Sequence, residues 1–344
     1  MDQQQWSLRL GAGMILCALL LRLTSTGFLE PVTEFLAKPN IAAFMIYLET
    51  GRIVRFSPSS DVLEVFARES PVPDFARIRE EPAPIVPEEP EKPTFSAEDG
   101  KTVGIKNSAG AKFDAGALIT QELTWDLTGA EPTVLILHTH TTESYTKVEG
   151  ETYRETSAFR TLDEGYNMTC VGERVAQLLE AGGVTVLHDR ELHDYPSYNG
   201  SYNHARKQTS QYLKEYPSIR LVLDLHRDAS GDLNNQMRTH VVVDGEDSAQ
   251  LMFVVASGSS TLKHPNWKEN MALALKLQVQ AERLAPGICR KINVRAQRFN
   301  QDLNPGALLV EVGAAGNTRE EALRAAQVLA EAVLALAKGC ENEE

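Results

Sequence analysis

The sequence predicts an α/β protein: a three-layer α/β/α domain with a mostly parallel sheet, preceded by an N-terminal anchor and a Pro/Glu-rich linker. Two observations carry the domain. From about residue 101, short apolar runs alternate with stretches of helical periodicity, the pattern of successive strand–helix–strand units. Three of those runs, within 134–143, 221–228 and 307–313, stop at His or Glu after a block of apolar residues. Neighbouring strands that end this way empty polar ligands at a shared edge, which is where α/β proteins build their sites. The proline-rich tract 58–100 sets this domain apart from what precedes it.

Along the chain, residues 10–21 (LGAGMILCALLL) form an uninterrupted apolar segment between Arg9 and Arg22. That is short of the ~20 residues a bilayer span needs. It reaches a usable length when Arg22 snorkels and residues 23–29 are included. The range 1–29 is therefore read as a membrane anchor or a secretory signal, with a buried soluble helix as the alternative. Either of the first two readings puts the remainder outside the cytoplasm. Residues 30–57 form a membrane-proximal segment whose apolar patch, 41–48, is too short to span. Residues 58–100 are rich in proline and glutamate, from Pro71 to Pro93. Missing amide donors and like charges make such a tract an extended spacer.

The domain is assigned to 101–338, with a tail at 339–344. Short elements at 103–107 and 117–119 lead to a first core strand at 133–137. A helix over 167–181 follows, with Met168, Val171, Val175, Leu178 and Leu179 at helical spacing and Gly182-Gly183 to end it. Next come a strand at 184–187, a helix at 202–215 and a strand at 220–225. Strands at 241–243 and 251–256, a helix at 271–284 and a strand at 307–312 complete the sheet. The closing helix begins at Asn317-Thr318, with a glutamate three residues on to cap its first turn. Its apolar face is Ala322, Ala325, Val328, Leu329, Ala332 and Leu336. No internal repeat is visible.

Composition excludes several functions. The 42% hydrophobic content supports a core, and 34 basic against 47 acidic residues leave a net charge of −13. No nucleic-acid partner is expected, because a binder needs a basic face for phosphates. Four scattered cysteines with no CxxC pair support neither a cysteine zinc site nor a disulfide scaffold.

The strand ends carry the chemistry. Zinc takes neutral imidazoles and carboxylates, and a catalytic site leaves one position open. His140 and Glu143 stand three apart just past one strand, and His226 arrives from a second, giving three protein ligands for Zn2+. Glu311, on a third strand, is left as general base toward zinc-bound water, whose pKa falls toward ~7. Each also has a plain reading as a hydrogen-bonded structural residue. His138 faces the same way as His140 if the strand persists that far, as a ligand or as support for the ligands. Arg227 and Asp228 can orient ligands or substrate, or simply cap a turn. Tyr145, Tyr198 and Tyr202 line a groove or pack as aromatics. His188, His193, His204, His240 and His264 receive no metal role.

The motif HTHTTESY at 138–145 resembles the stage II sporulation protein P family. So do Asp194-Tyr-Pro-Ser-Tyr-Asn199, Asp224-Leu-His-Arg-Asp228 and Val310-Glu-Val-Gly313 with Asn317-Thr318, over residues 101–338. More distantly the pattern is similar to zinc N-acetylmuramoyl-L-alanine amidases, onto which His140, His226 and Glu311 carry over. In those amidases the ligand glutamate opens the first helix. Asn167 stands there in this chain and is a poor zinc ligand, so the role moves to Glu143. The resemblance implies peptidoglycan hydrolysis in sporulation, during engulfment at the septum, by a membrane-tethered extracytoplasmic domain. It also implies partnership with stage II sporulation proteins D and M. Amide cleavage, cutting of peptide cross-links, and a non-catalytic glycan-binding scaffold that recruits another hydrolase all remain open.

Overall fold

The computed structural model describes residues 92–342. The apolar segment at 10–21, the stretch 30–57 and most of the 58–100 spacer lie outside the described residues. Among the described residues no helix is long and apolar enough to cross a membrane.

Among the described residues, regular structure begins just after Pro93. A two-residue strand, Thr94–Phe95, pairs in parallel with Glu341–Asn342 from the far end of the chain, and the Phe95 side chain is buried. Helix α1 (Ala97–Thr102) follows, closed by a capping box between Ser96 and Asp99. The boundary drawn at residue 100 from composition thus falls inside a helix.

The central sheet has seven strands. They are β1 (Ile105–Asn107), β2 (Val134–Leu137), β3 (Val186–His188), β4 (Leu221–Asp228), β5 (Leu251–Ala256), β6 (Ile292–Arg295) and β7 (Ala307–Ala314). Their spatial order is β1-β6-β5-β7-β4-β2-β3. All neighbouring pairs are parallel except β5 with β7. The reversal has a topological cause. Between β4 and β5 the chain makes only small hairpins, at 231–236 and 241–248, and no helix carries it back across the sheet. It therefore re-enters from the edge where β4 ended. The predicted strand at 241–243 belongs to the second hairpin, not to the sheet, whereas β6 was not foreseen.

Helices α2 (Ala115–Ile119), α3 (Met168–Ala181), α5 (Trp267–Leu284) and α6 (Arg319–Ala335) cover one face. Strand alternation supplies their floor: Leu221, Leu223 and Leu225 of β4 and Leu308, Val310 and Val312 of β7 all point there. On the opposite face, α4 (Ser201–Glu215) packs over Leu135, Leu137, Val222 and Ala307. The third layer stops there. Around Met252, Val254 and Leu309 the same face meets only Phe299 from the apolar residues and opens as a groove.

The start of α6 locks the last strand to a hairpin. Thr318 is its N-cap, and Glu321 closes the capping box. Glu321 also accepts from Asn317 Nδ2 at 2.7 Å and from Arg238. Asn317, fully buried, receives the Thr239 and Ala314 amides at 3.1 and 3.0 Å. Burial alone would raise the Glu321 carboxyl; Arg238, Asn317 and the Thr318 amide outweigh it and hold the acid below its ordinary value. A depressed folded-state pKa means stability that is present above the unfolded value of ~4.3 and lost as pH falls through the folded one. Glu321→Gln is expected to cost about 1–3 kcal/mol at pH 7. In urea melts at a series of pH values, its deficit against the parent should shrink steadily below pH ~4.

Candidate active site

The turn after β2 builds one wall of the groove, and almost every residue in it is pinned. Strand β2 stops at Leu137, opposite Asp224. The Thr139 amide and hydroxyl then donate to the two oxygens of Asp224 at 2.8 and 2.7 Å. Thr142 donates in the same two ways to Asp194, at 3.1 and 2.7 Å. Between these anchors the Glu143 amide donates back to the His140 carbonyl at 3.1 Å, which turns both side chains inward. Tyr145, buried, donates its hydroxyl to the Val312 carbonyl at 2.8 Å and ties the turn to β7.

His226 and Glu311 come from inside β4 and β7, where they are register partners. They therefore project from the sheet face into the groove rather than from its edge. The rings of His140 and His226 meet edge to face with centroids 5.2 Å apart. Glu143 Oε2 lies 3.8 Å from His226 Nδ1. His140, Glu143, His226 and Glu311 all line one groove of about 920 Å3, together with Tyr202.

Burial and fixed charges set the protonation of this cluster. Burial, helped by neighbouring His226, pushes His140 down to about 4. Burial opposes charge on His226 too, but Asp224, with Oδ1 2.9 Å from His226 Nε2, then Glu143 and Glu311, bring it up to about 9. Burial raises Glu311 to about 8 against the pull of His226. Glu143 behaves oppositely. Burial would raise it, yet Arg227 above all, then His226, His140 and Arg160, hold it below the ordinary carboxylate range. Arg227 and Arg160 each reach its Oε1 at 3.3 Å.

The remaining predicted residues fall elsewhere. His138 does not share the face of His140, because the strand ends one residue before it. It turns under α3, with Nδ1 donating to the Leu225 carbonyl at 3.1 Å and Nε2 3.0 Å from Nε2 of His188. Burial first, and His188 second, push it down to about 3. Asn167 is the N-cap of α3, accepting from the Thr169 amide at 2.9 Å. Arg227 braces the turn by donating to the Ser144 and Phe159 carbonyls at 3.0 Å each. Asp228 lines the groove and pairs with Arg290 at 2.8 Å. Of the tyrosines, Tyr202 lines the groove and half-exposed Tyr198 stacks flat on His140 with centroids 4.5 Å apart.

Sequence reasoning missed Asp224 as a site residue. Its signal was present: two residues before His226 on one strand, it must share that histidine's face. The Arg160–Asp194 pair was also missed, since its partners lie 34 residues apart, one on a two-residue strand and one in a turn.

Among the described residues no group of three or more His, Cys, Asp or Glu side chains stands in an arrangement that could hold a metal ion. The donors nevertheless suit a cation. Nδ1 of His140 and Oε2 of Glu311 are buried without a hydrogen-bond partner, and Nδ1 of His226 faces Glu143 Oε2 at 3.8 Å while Nε2 is taken by Asp224. Two such atoms around one groove are an expense that folded proteins rarely leave unanswered.

The sequence profile described as Stage II sporulation protein P (SpoIIP) matches residues 64–334. Stage II sporulation protein P of Bacillus subtilis (strain 168) is 29% identical over 216 residues, 59% of this chain and 51% of that protein. The chain thus spans about half the length of that curated relative. Among solved structures, N-acetylmuramoyl-L-alanine amidase AmiC2 of Nostoc punctiforme overlays with a TM-score of 0.34 and 16% identity, over 61% of this chain and 97% of that one. The CwlD amidase of Clostridioides difficile, solved with the GerS lipoprotein, gives 0.38 and 12%, over 59% and 94%. Overlays at this level add nothing to the fold read from the sheet itself.

Gly172 tests the placement of His138. A Cβ there would stand 2.5 Å from Nε2 of both His138 and His188. Gly172→Ala should therefore destabilise the domain by about 1–3 kcal/mol, although alanine is the better helix former. Chemical denaturation midpoints measure this, and a gain in stability would remove the imidazole pair from beneath α3.

Proposed function

The chain belongs to the stage II sporulation protein P family, and from that premise we propose that it is a zinc-dependent peptidoglycan hydrolase that cuts the N-acetylmuramoyl-L-alanine amide. The observation that carries the reading is the convergence of His140, Glu143, His226 and Glu311 on one groove. The order of His140 just past β2, His226 on β4 and Glu311 on β7, three neighbouring strands, resembles that of zinc amidases and supports the choice of bond.

His140, His226 and Glu143 are the residues that would hold zinc. When bound, the ion supplies a Lewis acid that polarises the scissile carbonyl and brings the pKa of water toward ~7. The chain's own residues do the rest. Asp224 orients His226 through its second nitrogen, the arrangement that fixes ring position and raises ligand basicity. Arg160 and Arg227 keep Glu143 ionised. Glu311, on which burial and the charge of His226 act in opposite directions, takes a proton from the attacking water in its ionised form and returns it to the leaving amine. Tyr198 shields one face of His140 from solvent. The apolar segment at 10–21 and the Pro/Glu-rich spacer support a membrane-tethered head outside the cytoplasm, acting at the septum beside stage II sporulation proteins D and M.

Two measurements test this. Mass spectrometry of digested muropeptides should reveal free stem peptides with a new amino terminus on L-alanine. Termini within the peptides would move the activity to the cross-link, and equal digestion after exhaustive chelation would remove the metal. Glu311→Gln should lower turnover by about 10²–10⁴-fold while zinc stays bound; full biological activity in that variant would instead make the head a scaffold. Asp224→Asn should weaken zinc by about 10–100-fold in competition with a chelating dye.

A further inference from the structure

The groove extends well past the residues used above. Its floor is one face of the sheet, passing from Glu311 on β7 to its register partner Met252 and to Val254 on β5. It continues through Asn293 on β6 to Lys106 on β1. Lys106, Arg290, Lys291 and Arg295 line this far end. Arg290 is committed to Asp228. Lys106, Lys291 and Arg295 make no ion pair among the described residues. In a chain of net charge −13, three uncommitted cations gathered in one groove mark it for an anion.

A second observation points the same way. Asn293 is only 9% exposed, lines the groove, and leaves its Oδ1 buried without a hydrogen-bond partner. An amide acceptor beside a row of cations matches a peptide, which presents N–H groups between its carboxylates.

We propose that this end of the groove is a subsite for the carboxylates of the substrate's peptide, with Asn293 Oδ1 accepting one of its N–H groups. Spacing selects which carboxylates. Strands lie about 4.8 Å apart, so β6 and β1 stand roughly 10 and 14 Å from the strand of Glu311. An extended peptide covers about 3.3–3.6 Å per residue, which places the subsite three or four residues beyond the bond that is cut. A peptidoglycan stem with free carboxyl groups in its later residues has that form. The inference rests on the hydrolase reading for the identity of the substrate, but its test does not require turnover.

Calorimetry on the full chain would compare a stem tetrapeptide with free carboxylates against the same peptide fully amidated. The free acid should bind at least about tenfold more tightly, and this preference should vanish in the Lys106→Ala/Arg295→Ala double variant. Asn293→Ala should weaken both peptides alike, and added salt should erode the preference in the parent. Equal affinity of the parent for the two peptides, or a preference that survives in the double variant, would overturn the subsite. Failure of the parent to digest peptidoglycan, with the binding preference intact, would count against the hydrolase reading alone.

Discussion

Asp224 is the point on which the site depends. Its carboxylate takes both donors of Thr139, which begins the turn after β2, and stands 2.9 Å from His226 on its own strand. One buried anion thereby binds two segments 85 residues apart, and with them two imidazoles. Burial disfavours the charge, yet His226 and Thr139 hold Asp224 below its ordinary value. Removing such a partner leaves the others buried and unpaired, the costly side of the exchange.

The surrounding charges are sorted by position rather than by count. At the turn, Arg160 and Arg227 surround Glu143 and keep it ionised. One strand beyond His226, Glu311 has no arginine at bonding distance and is free to hold a proton. Two carboxylates in one groove are thus pushed in opposite directions, one kept anionic beside the imidazoles and the other able to exchange a proton. The incomplete third layer matters as much. Because α4 covers only the β2 and β4 side of the sheet, His226 of β4 and Glu311 of β7 face a groove instead of a helix.

Much of this was legible in the sequence because the signals were long and periodic. The apolar blocks ahead of His138, His226 and Glu311 announce three strands, and the helical spacing from Met168 to Leu179 announces α3. Strand ends were harder. The apolar block of β4 stops at Leu225, yet pairing continues to Asp228, so His226 was placed at an edge when it lies on a face. The parity of His138 and His140 failed for the converse reason, since β2 ends at Leu137 and the chain turns. Strand β6 escaped notice because its four residues alternate, Ile292 and Val294 inward, Asn293 and Arg295 outward, beside further basic residues. The direction of β5 depends on the absence of a crossover helix, which no property of its own six residues encodes.

His140, Glu143 and His226 are proposed to share one metal ion. Crystals of the domain grown with zinc, with anomalous data collected on both sides of the zinc absorption edge, address it directly. A single strong peak is expected within about 2.0–2.2 Å of a nitrogen of His140, a nitrogen of His226 and an oxygen of Glu143. A peak between His138 and His188 instead, with the groove empty, would contradict it.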